Sequence, residues 1–216
     1  MYARLNRFTG MDGDALAASF DWFEHEGLPR LKRAASFSTI FFGVDLENGK
    51  AGALTLWETS RALRVSERVE SQLRAEALRR AGGAMSRGLV DTYEITFADT
   101  EFVDQGEGGL TARLSRWEGL TPGTIKWAQE YFVTNELPAW REHPAYRGEL
   151  LGANRLMGNT VGVSLWATRD LSEVEQLERE AVSRLSHTKR GPFRPVMFDT
   201  YRVTLAPQVP VVAQAA

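Results

Sequence analysis

The stretch that decides the fold is VDTYEITFA, residues 90–98, because the chain repeats it near the C-terminus as FDTYRVTLA, residues 198–206. Five of the nine positions are identical in the two copies. The match also holds far upstream, where ARLNRF at residues 3–8 falls on ARLSRW at residues 112–117, an offset of 109 positions. An ordered series of matches indicates an internal duplication, so the sequence predicts two domains of the same fold.

Each half carries the same order of predicted elements. In the first half the alternating run at residues 2–9 predicts a strand, and Asp12 offers N-cap chemistry for the helix that follows. Two strand-like runs on either side of Asn48 and Gly49 predict a hairpin. A second helix over about residues 60–80 and the DTY strand complete the half. The order β-α-β-β-α-β, found twice, is the ferredoxin-like pattern.

Two details of the helices can also be predicted. Pro29 and Pro138 each remove a backbone donor late in the first helix of their half, so we expect the last turn to be kinked or separately started. The second helix of the first half is expected to bury a stripe at three- to four-residue spacing. The predicted stripe is Val65, Val69, Leu73 and Ala77.

The predicted fold class is α+β. A four-stranded sheet with two helices on one face leaves the other face uncovered, and apolar residues there need a partner sheet. We therefore expect two tandem ferredoxin-like repeats, with antiparallel sheets packed face to face as an intrachain dimeric α/β barrel. The repeats are predicted at residues 1–98 and 110–207, joined by an acidic, glycine-rich linker at 99–109 and followed by a flexible tail at 208–216.

Composition narrows the class of protein. The 216 residues are 43% hydrophobic and 25% charged, with a net charge of −2, so no basic field favours nucleic acid or an anionic membrane as partner. There is no cysteine, which excludes disulfides, thiolate metal sites and cysteine nucleophiles. No leader-like segment opens the sequence. We expect a cytoplasmic protein, either a monomer containing the pseudo-dimer or a weak homo-oligomer.

The sequence resembles the dimeric α/β-barrel superfamily, and within it the antibiotic biosynthesis monooxygenase (ABM) type. The resemblance rests on MYARLNRFTG at the N-terminus, on LTLWETSRALRVSE at residues 54–67, and on DTYEITFA at residues 91–98. It implies that the two repeats form within one chain the barrel that family members form by dimerisation. The superfamily includes cofactor-independent oxygenases, haem-degrading enzymes, isomerases and members without known activity, so the resemblance implies fold more strongly than chemistry.

The haem-degrading branch of that superfamily uses an Asn on the first strand, a Trp at the end of the third and a His on the next helix. Asn6 and Trp57 match the first two positions. The helix over residues 60–80 has no histidine, and a carboxylate is a poor replacement for an imidazole ligand. The second half has Ser115 in place of the Asn. Haem degradation is therefore not the expected activity, and no cofactor is predicted.

Strand alternation predicts the candidate site. It puts Arg4 and Asn6 on one face of the first strand and Ala3 and Leu5 on the other. If Ala3 and Leu5 lie under the helices, Arg4 and Asn6 point into the barrel. The fourth strand pairs with the first in this fold, which would bring Glu94 beside Arg4.

The second repeat keeps this pattern with a different charge. Arg113 and Trp166 are predicted to point inward, with Arg202 of the last strand beside Arg113. Two guanidinium groups in a partly enclosed space favour an anionic ligand. The alternative is that these groups sit in water at the barrel mouth and bind nothing.

These residues lead to a functional hypothesis. We predict an ABM-like, cofactor-independent oxygenase for a small planar aromatic or polyketide-like substrate, with Asn6 orienting a substrate oxygen and Trp57 stacking against the ring. The predicted substrate-binding residues are Arg4, Arg113, Trp166 and Arg202. No metal site is predicted. The alternative is a non-catalytic barrel that binds a small ligand or serves as a stress-type protein.

Overall fold

A computed structural model describes residues 1–81, 86–99, 109–188 and 196–205. The predicted linker, apart from its two end residues, and the predicted tail lie outside the described residues. The strands are β1 Tyr2–Thr9, β2 Phe37–Asp45, β3 Lys50–Trp57, β4 Ser86–Asp99, β5 Leu110–Trp117, β6 Tyr146–Asn154, β7 Asn159–Trp166 and β8 Met197–Leu205. The helices are α1 Gly13–Trp22, α2 Leu28–Lys32, α3 Ser60–Arg80, α4 Pro122–Tyr131, α5 Leu137–Glu142 and α6 Ser172–Ser186.

The chain divides into two units, each built around one repeat. The first contains Met1–Glu94 and the part of β8 from Tyr201, and the second contains Ile95–Thr200. The strand order is β4-β1-β3-β2-β8 in the first unit and β8-β5-β7-β6-β4 in the second. The predicted α+β class with two tandem ferredoxin-like repeats is confirmed.

The first helix of each repeat is interrupted before its proline, as expected. A π-helical segment, Phe23–Gly27, joins α1 to α2, and the amide of Leu28 donates to the carbonyl of Phe23 five residues earlier. Pro29 then stands in the first turn of α2, where its missing amide costs no helical hydrogen bond. The second repeat has the same arrangement, with the π-helical segment Phe132–Glu136 ahead of α5.

The predicted stripe of α3 is confirmed for Leu73, which is buried, and for Val69 and Ala77, which pack against the core, but it is wrong for Val65. Val65 is 69% exposed, whereas Ser66 and Glu70 are each 3% exposed. The helix therefore turns a partly polar stripe toward the sheet, which periodicity of apolar residues alone did not predict. The buried members of this stripe are Leu63, Ser66, Glu70 and Leu73. Among the described residues, no helix is long and apolar enough to cross a membrane.

Strand β8 completes the first unit by close packing against two glycines. Gly43 and Gly52 face each other across the β2–β3 ladder. A Cβ atom on Gly43 would lie 2.6 Å from the Cβ of Tyr201, and one on Gly52 would lie 3.1 Å from Cζ of the same ring. Because both positions lack a side chain, they leave the space in which Tyr201 is buried.

The β2–β3 turn is held against the loop after β1. Gly49 has a φ of 59°, and its carbonyl accepts from the amide of Met11 at 3.1 Å. A Cβ atom at residue 49 would lie 2.0 Å from the carbonyl oxygen of Met11. Gly158 makes the equivalent contact with Leu120 in the second repeat.

We predict that Gly49→Ala lowers the free energy of unfolding by at least about 2 kcal/mol, because it adds a backbone clash to the strain of a positive φ. Gly119→Ala is the matched control, since Gly119 also has a positive φ, 71°, with nothing within 4 Å of the added Cβ. It should cost only about 1 kcal/mol. Urea unfolding of both variants measures the difference, and equal losses would contradict the role of the contact.

Candidate functional site

The polar face of β1 lies under the helices, contrary to expectation. Arg4 and Asn6 are each 3% exposed and both reach Glu70 of α3, whereas Ala3 and Leu5 occupy the opposite face of the strand. The expected neighbour Glu94 lies opposite Tyr2 instead of Arg4, and it is exposed. Both faces of β1 are buried, so alternation alone could not tell which face meets the helices.

Glu70 is the centre of the hydrogen-bond network in the first unit. Its Oε1 accepts from the guanidinium of Arg4 at 2.7 Å, from Ser66 at 3.1 Å and from Thr55 at 3.2 Å. Its Oε2 accepts from the amide nitrogen of Asn6 at 3.2 Å. The carboxylate thus has four donors, which is the arrangement that makes a buried charge tolerable.

Asn6 and Trp57, the predicted catalytic residues, are both occupied by this network. The amide oxygen of Asn6 accepts from Arg74 at 3.0 Å while its nitrogen donates to Glu70. Trp57 is fully buried, and its Nε1 donates to Thr55 at 3.1 Å. The adjoining cavity of about 60 Å³ is lined largely by apolar side chains. The polar groups that were expected to meet a substrate are therefore bound to one another.

We predict that Glu70→Gln lowers the free energy of unfolding by about 2–5 kcal/mol, because it leaves the buried guanidinium of Arg4 without its buried counter-charge. Glu67→Gln is the matched control: Glu67 also contacts Arg4, at 3.1 Å, but its side chain is 49% exposed. That variant should cost less than about 1 kcal/mol. Denaturant unfolding compares the two, and similar losses would contradict the central place of Glu70.

The second unit keeps the ion pair but not the rest of the network. Arg113 donates to Glu178 at 2.5 Å and to Glu175 at 3.3 Å, so the carboxylates of α6 neutralise it. The predicted neighbour Arg202 is exposed on β8, opposite Val44. The expected pair of guanidinium groups sharing an anion is therefore replaced by an arginine with two glutamates. Repeat alignment assigns Asn6 and Arg74 of the first network to Ser115 and Val182.

Trp166 lies at the end of β7 and repeats the role of Trp57. It is fully buried, and its Nε1 donates to Ser164 at 2.8 Å. Its ring packs against Trp140, at 5.6 Å between centroids, and against Tyr146 at 5.4 Å. The predicted substrate-binding tryptophan is thus part of an aromatic cluster at one end of the sheet.

Glu149 of β6 is the unusual group of the second unit. It is 3% exposed, stands where the first repeat has Ile40, and has no hydrogen-bond partner for its Oε2 among the described residues. Burial raises the pKa of Glu149 well above its ordinary value, and the negative charges of Glu178 and Asp99 raise it further. The carboxyl group is therefore held neutral at a pH where a surface glutamate is ionised.

Gly162 leaves room for this carboxyl group beside a hydroxyl. A Cβ atom at residue 162 would lie 2.9 Å from Ser115 Oγ and 3.2 Å from Glu149 Oε1. The first repeat has Ala53 at this position. The second unit thus brings a hydroxyl and a neutral carboxyl group together over a glycine, on the face of the sheet that the helices cover.

A cavity of about 90 Å³ opens beside these groups, several times the roughly 10–15 Å³ that one water molecule needs. Its lining is mostly apolar and includes three carboxyl groups. Glu178 is paired with Arg113, Glu136 is paired with Arg184 at 2.7 Å, and Glu149 is unpaired. Among the described lining residues there is no lysine, arginine or histidine. The arrangement suits a neutral ligand.

The three histidines lie away from both cavities. His25 is exposed and bonds through Nδ1 to the carbonyl of Asp21, and His187 bonds in the same way to Ser183 at the end of α6. His143 contacts Glu173 at 3.0 Å. None of them lines either cavity among the residues described. No described cluster of acidic or histidine side chains is arranged to hold a metal ion.

Sequence reasoning missed Glu149, Ser115 and Gly162 as a group. The available signal was the comparison of the two repeats, since a glutamate replaces an isoleucine within the apolar run of β6 and a glycine replaces an alanine on β7. A glutamate inside such a run is rarely fully buried unless its charge is paired. The signal lay in the differences between the repeats, whereas the predicted site rested on their similarities.

The fold is shared with solved structures of proteins that are described in different ways. An anthrone oxidase-like protein superimposes with a TM-score of 0.66 at 16% identity, over 94% of this chain and 91% of its own. A monooxygenase candidate from Lactobacillus acidophilus gives 0.60 at 10% identity, over 94% and 93%. A heme-binding protein from Thermus thermophilus gives 0.54 at 13% identity, over 94% and 90%. No family model and no curated protein matches the sequence. At these identities the likeness shows the ferredoxin-like fold.

We predict a pH-dependent stability difference between the wild type and Glu149→Gln. Because the folded pKa is raised, the folded protein keeps a proton that the unfolded chain loses above about pH 4.3. Wild-type stability should therefore fall as pH rises from that value through the folded pKa, by about 1.4 kcal/mol per unit of pKa difference. The glutamine variant should lack this fall.

Urea unfolding at several pH values measures this difference, with Glu130→Gln as the control because Glu130 is exposed on α4. A wild type and a Glu149→Gln variant whose stabilities run parallel over the whole range would show that Glu149 titrates normally.

Proposed function

We propose that the chain is an oxygenase that needs no bound cofactor, and that its reaction takes place in the cavity of the second unit with Glu149 as the proton acceptor. The observation that carries the proposal is the buried, unpaired carboxyl group of Glu149 at an apolar cavity, beside the hydroxyl of Ser115. Titratable groups with a strongly perturbed pKa in a cleft are typical of catalytic acids and bases.

The proposed chemistry needs the protein mainly for proton transfer and positioning. Glu149, as a carboxylate, takes a proton from an activated C–H group of an electron-rich substrate, whose electron pair then spreads over the ring system. The substrate anion gives one electron to dioxygen, and the resulting radical and superoxide join through a C–O bond. Glu149 returns the proton to the peroxide. The same carbon then loses its second hydrogen as the O–O bond breaks, which releases water and leaves a carbonyl group. One oxygen atom stays in the product and the other leaves as water.

The raised pKa of Glu149 supports this role in two ways. An ionised carboxylate in an apolar environment is a stronger base than one in water, because protonation removes the cost of burying its charge. A general base also works best when its pKa lies near the operating pH, and burial moves a glutamate in that direction. Ser115 stands close enough to the same point of the sheet to hold a substrate oxygen while the proton moves.

The charge of the cavity favours a neutral planar substrate over an anionic one. Arg113 and Arg184, the arginines nearest to it, are each committed to a glutamate. An anion would meet the carboxyl groups without a free cation among the described lining residues, and electrostatic repulsion would oppose its binding. The substrate class we propose is a neutral aromatic or polyketide-like compound with an acidic C–H or O–H group.

The test is oxygen uptake by chelator-treated protein with a panel of anthrones and dihydroxynaphthalenes, corrected for spontaneous oxidation. We expect uptake by the wild type and a loss of at least about 100-fold in kcat for Glu149→Gln, the usual size of a general-base contribution. Gly162→Ala should also reduce kcat, because the added Cβ crowds Ser115 and Glu149. Glu130→Gln is the control and should keep wild-type activity.

The alternative function is ligand binding without turnover. It is favoured by the first unit, where the adjoining cavity is present but Asn6 and Glu70 bind each other. Binding of the panel compounds with no oxygen uptake above the spontaneous rate would support it and overturn the oxygenase proposal. Uptake that Glu149→Gln leaves unchanged would remove Glu149 from the mechanism.

A further inference from the structure

Two tryptophans of the second unit have buried indole nitrogens with no hydrogen-bond partner among the described residues. They are Trp117, at the end of β5, and Trp140, on α5, and both line the same cavity as Glu149. A buried indole N–H normally finds an acceptor, because leaving a donor unpaired in the interior costs free energy. Three of the unpaired buried polar atoms therefore belong to side chains around one cavity.

The chain contains its own reference for satisfied indoles. The Nε1 groups of Trp57 and Trp166 donate to Thr55 and Ser164, at 3.1 and 2.8 Å. The unpaired state is thus a property of particular positions and does not apply to buried tryptophans of this protein generally. Two further unpaired donors beside one cavity need a common explanation.

Comparison of the repeats indicates that the two indole N–H groups serve a ligand and are not needed to form the fold. Repeat alignment places Phe8 at the position of Trp117 and Leu31 at the position of Trp140, and both are apolar side chains without a donor. The first repeat therefore builds the same layer of the structure without any N–H group there. The second repeat gains two donors at the cavity that also gains Glu149.

The two tryptophans stand beside different positions of strand β7. Trp117 is opposite Thr160 in the β5–β7 ladder, whereas Trp140 packs on Trp166, six residues further along β7. Six residues of strand extend on the order of 20 Å. Glu149 lies opposite Ser164, between these two points. The two side chains therefore enter the cavity from different positions along the sheet, and a ligand with a separate acceptor oxygen for each indole suits this placement.

We infer that Trp117 and Trp140 are specificity-determining residues whose indole N–H groups bind two separate oxygen atoms of an elongated planar ligand, one toward each end of the cavity. The inference rests on the proposed function in placing the ligand beside Glu149, but it concerns binding and does not require turnover. It assigns the choice of ligand to hydrogen-bond donors of neutral side chains, as the absence of a free cation in the described lining requires.

The experiment uses protein labelled with ¹⁵N at the indole nitrogens, which gives one resonance for each of the six tryptophans. The probe is 2,6-dihydroxyanthraquinone, which has a hydroxyl oxygen at each end of its long axis. The comparison is 2-hydroxyanthraquinone, which lacks one of them. Neither is a substrate of the proposed oxidation. We expect the first probe to shift the indole resonances of both Trp117 and Trp140, with those of Trp57 and Trp166 moving much less.

Substitutions complete the test. Trp117→Phe restores the residue of the first repeat, and Trp140→Phe removes the second donor while keeping an aromatic ring. Each should weaken binding of 2,6-dihydroxyanthraquinone about 3- to 10-fold, the usual worth of one hydrogen bond. Trp117→Phe and Trp140→Phe together should bind both probes equally. Trp127→Phe is the control, because Trp127 is outside the cavity lining and should leave binding unchanged.

The outcomes separate this inference from the oxygenase proposal. Two outcomes overturn the role of the indoles. One is binding of 2,6-dihydroxyanthraquinone without movement of the Trp117 and Trp140 resonances, and the other is failure of 2,6-dihydroxyanthraquinone to bind. Weaker binding of the probe by Trp117→Phe and by Trp140→Phe, together with no oxygen uptake by the wild type, supports the indole donors and rejects the oxygenase. Uptake that depends on Glu149 but is indifferent to both tryptophan substitutions does the reverse.

Discussion

Each repeat depends on a buried ion pair between its first strand and its long helix, which is α3 in the first repeat and α6 in the second. Arg4 reaches Glu70 and Arg113 reaches Glu178, at 2.7 and 2.5 Å. A charge buried without a partner is far more costly than one in water, so the pair fixes which face of the strand meets which face of the helix. A rotation of the helix by one residue, about 100°, would carry the carboxylate away from the guanidinium. Once this register is set, strand alternation decides which other side chains face the helices, and those side chains form the cavity.

The two repeats share one fold but carry different polar side chains between the sheet and the helices. In the first repeat Asn6 and Arg74 complete a network around Glu70 that leaves Nε of Arg4 as its buried atom without a partner among the described residues. In the second, Ser115 and Val182 are too short or too apolar to do so, and Glu149 enters from the neighbouring strand. A satisfied network stabilises a fold, whereas an unsatisfied one leaves hydrogen-bonding capacity for a ligand. The repeat that has Ser115 in place of Asn6 is therefore the one in which three unpaired buried polar atoms surround a cavity.

The fold could be predicted from the sequence, and the site could not. The duplication is visible as sequence identity between the halves, and the Asn48 turn and the interruption before Pro29 are set by local chemistry. The structure bears all three out. Alternation correctly placed Arg4 and Asn6 on one face of β1, but both faces are buried, so the pattern did not say which one the helices cover. Glu149 escaped because a carboxyl group in an apolar strand is unusual, and its protonation depends on neighbours from α6 and β4 that only the folded chain brings near.

The sharing of β8 between the two units has a consequence for how the chain reaches its native state. Strand β2 pairs with the last residues of β8, and Gly43 stands opposite Val203 in that ladder. When the ribosome has made the whole first repeat, the space beside Gly43 and Gly52 that Tyr201 fills is still empty. The edge of β2 stays unpaired until Tyr201, 103 residues beyond Ala98, has been made. Pairings between residues so distant along the chain form slowly, and exposed edges invite association with other chains. The first repeat to be made is thus among the last to be finished, and until then its open strand edge can pair with other chains.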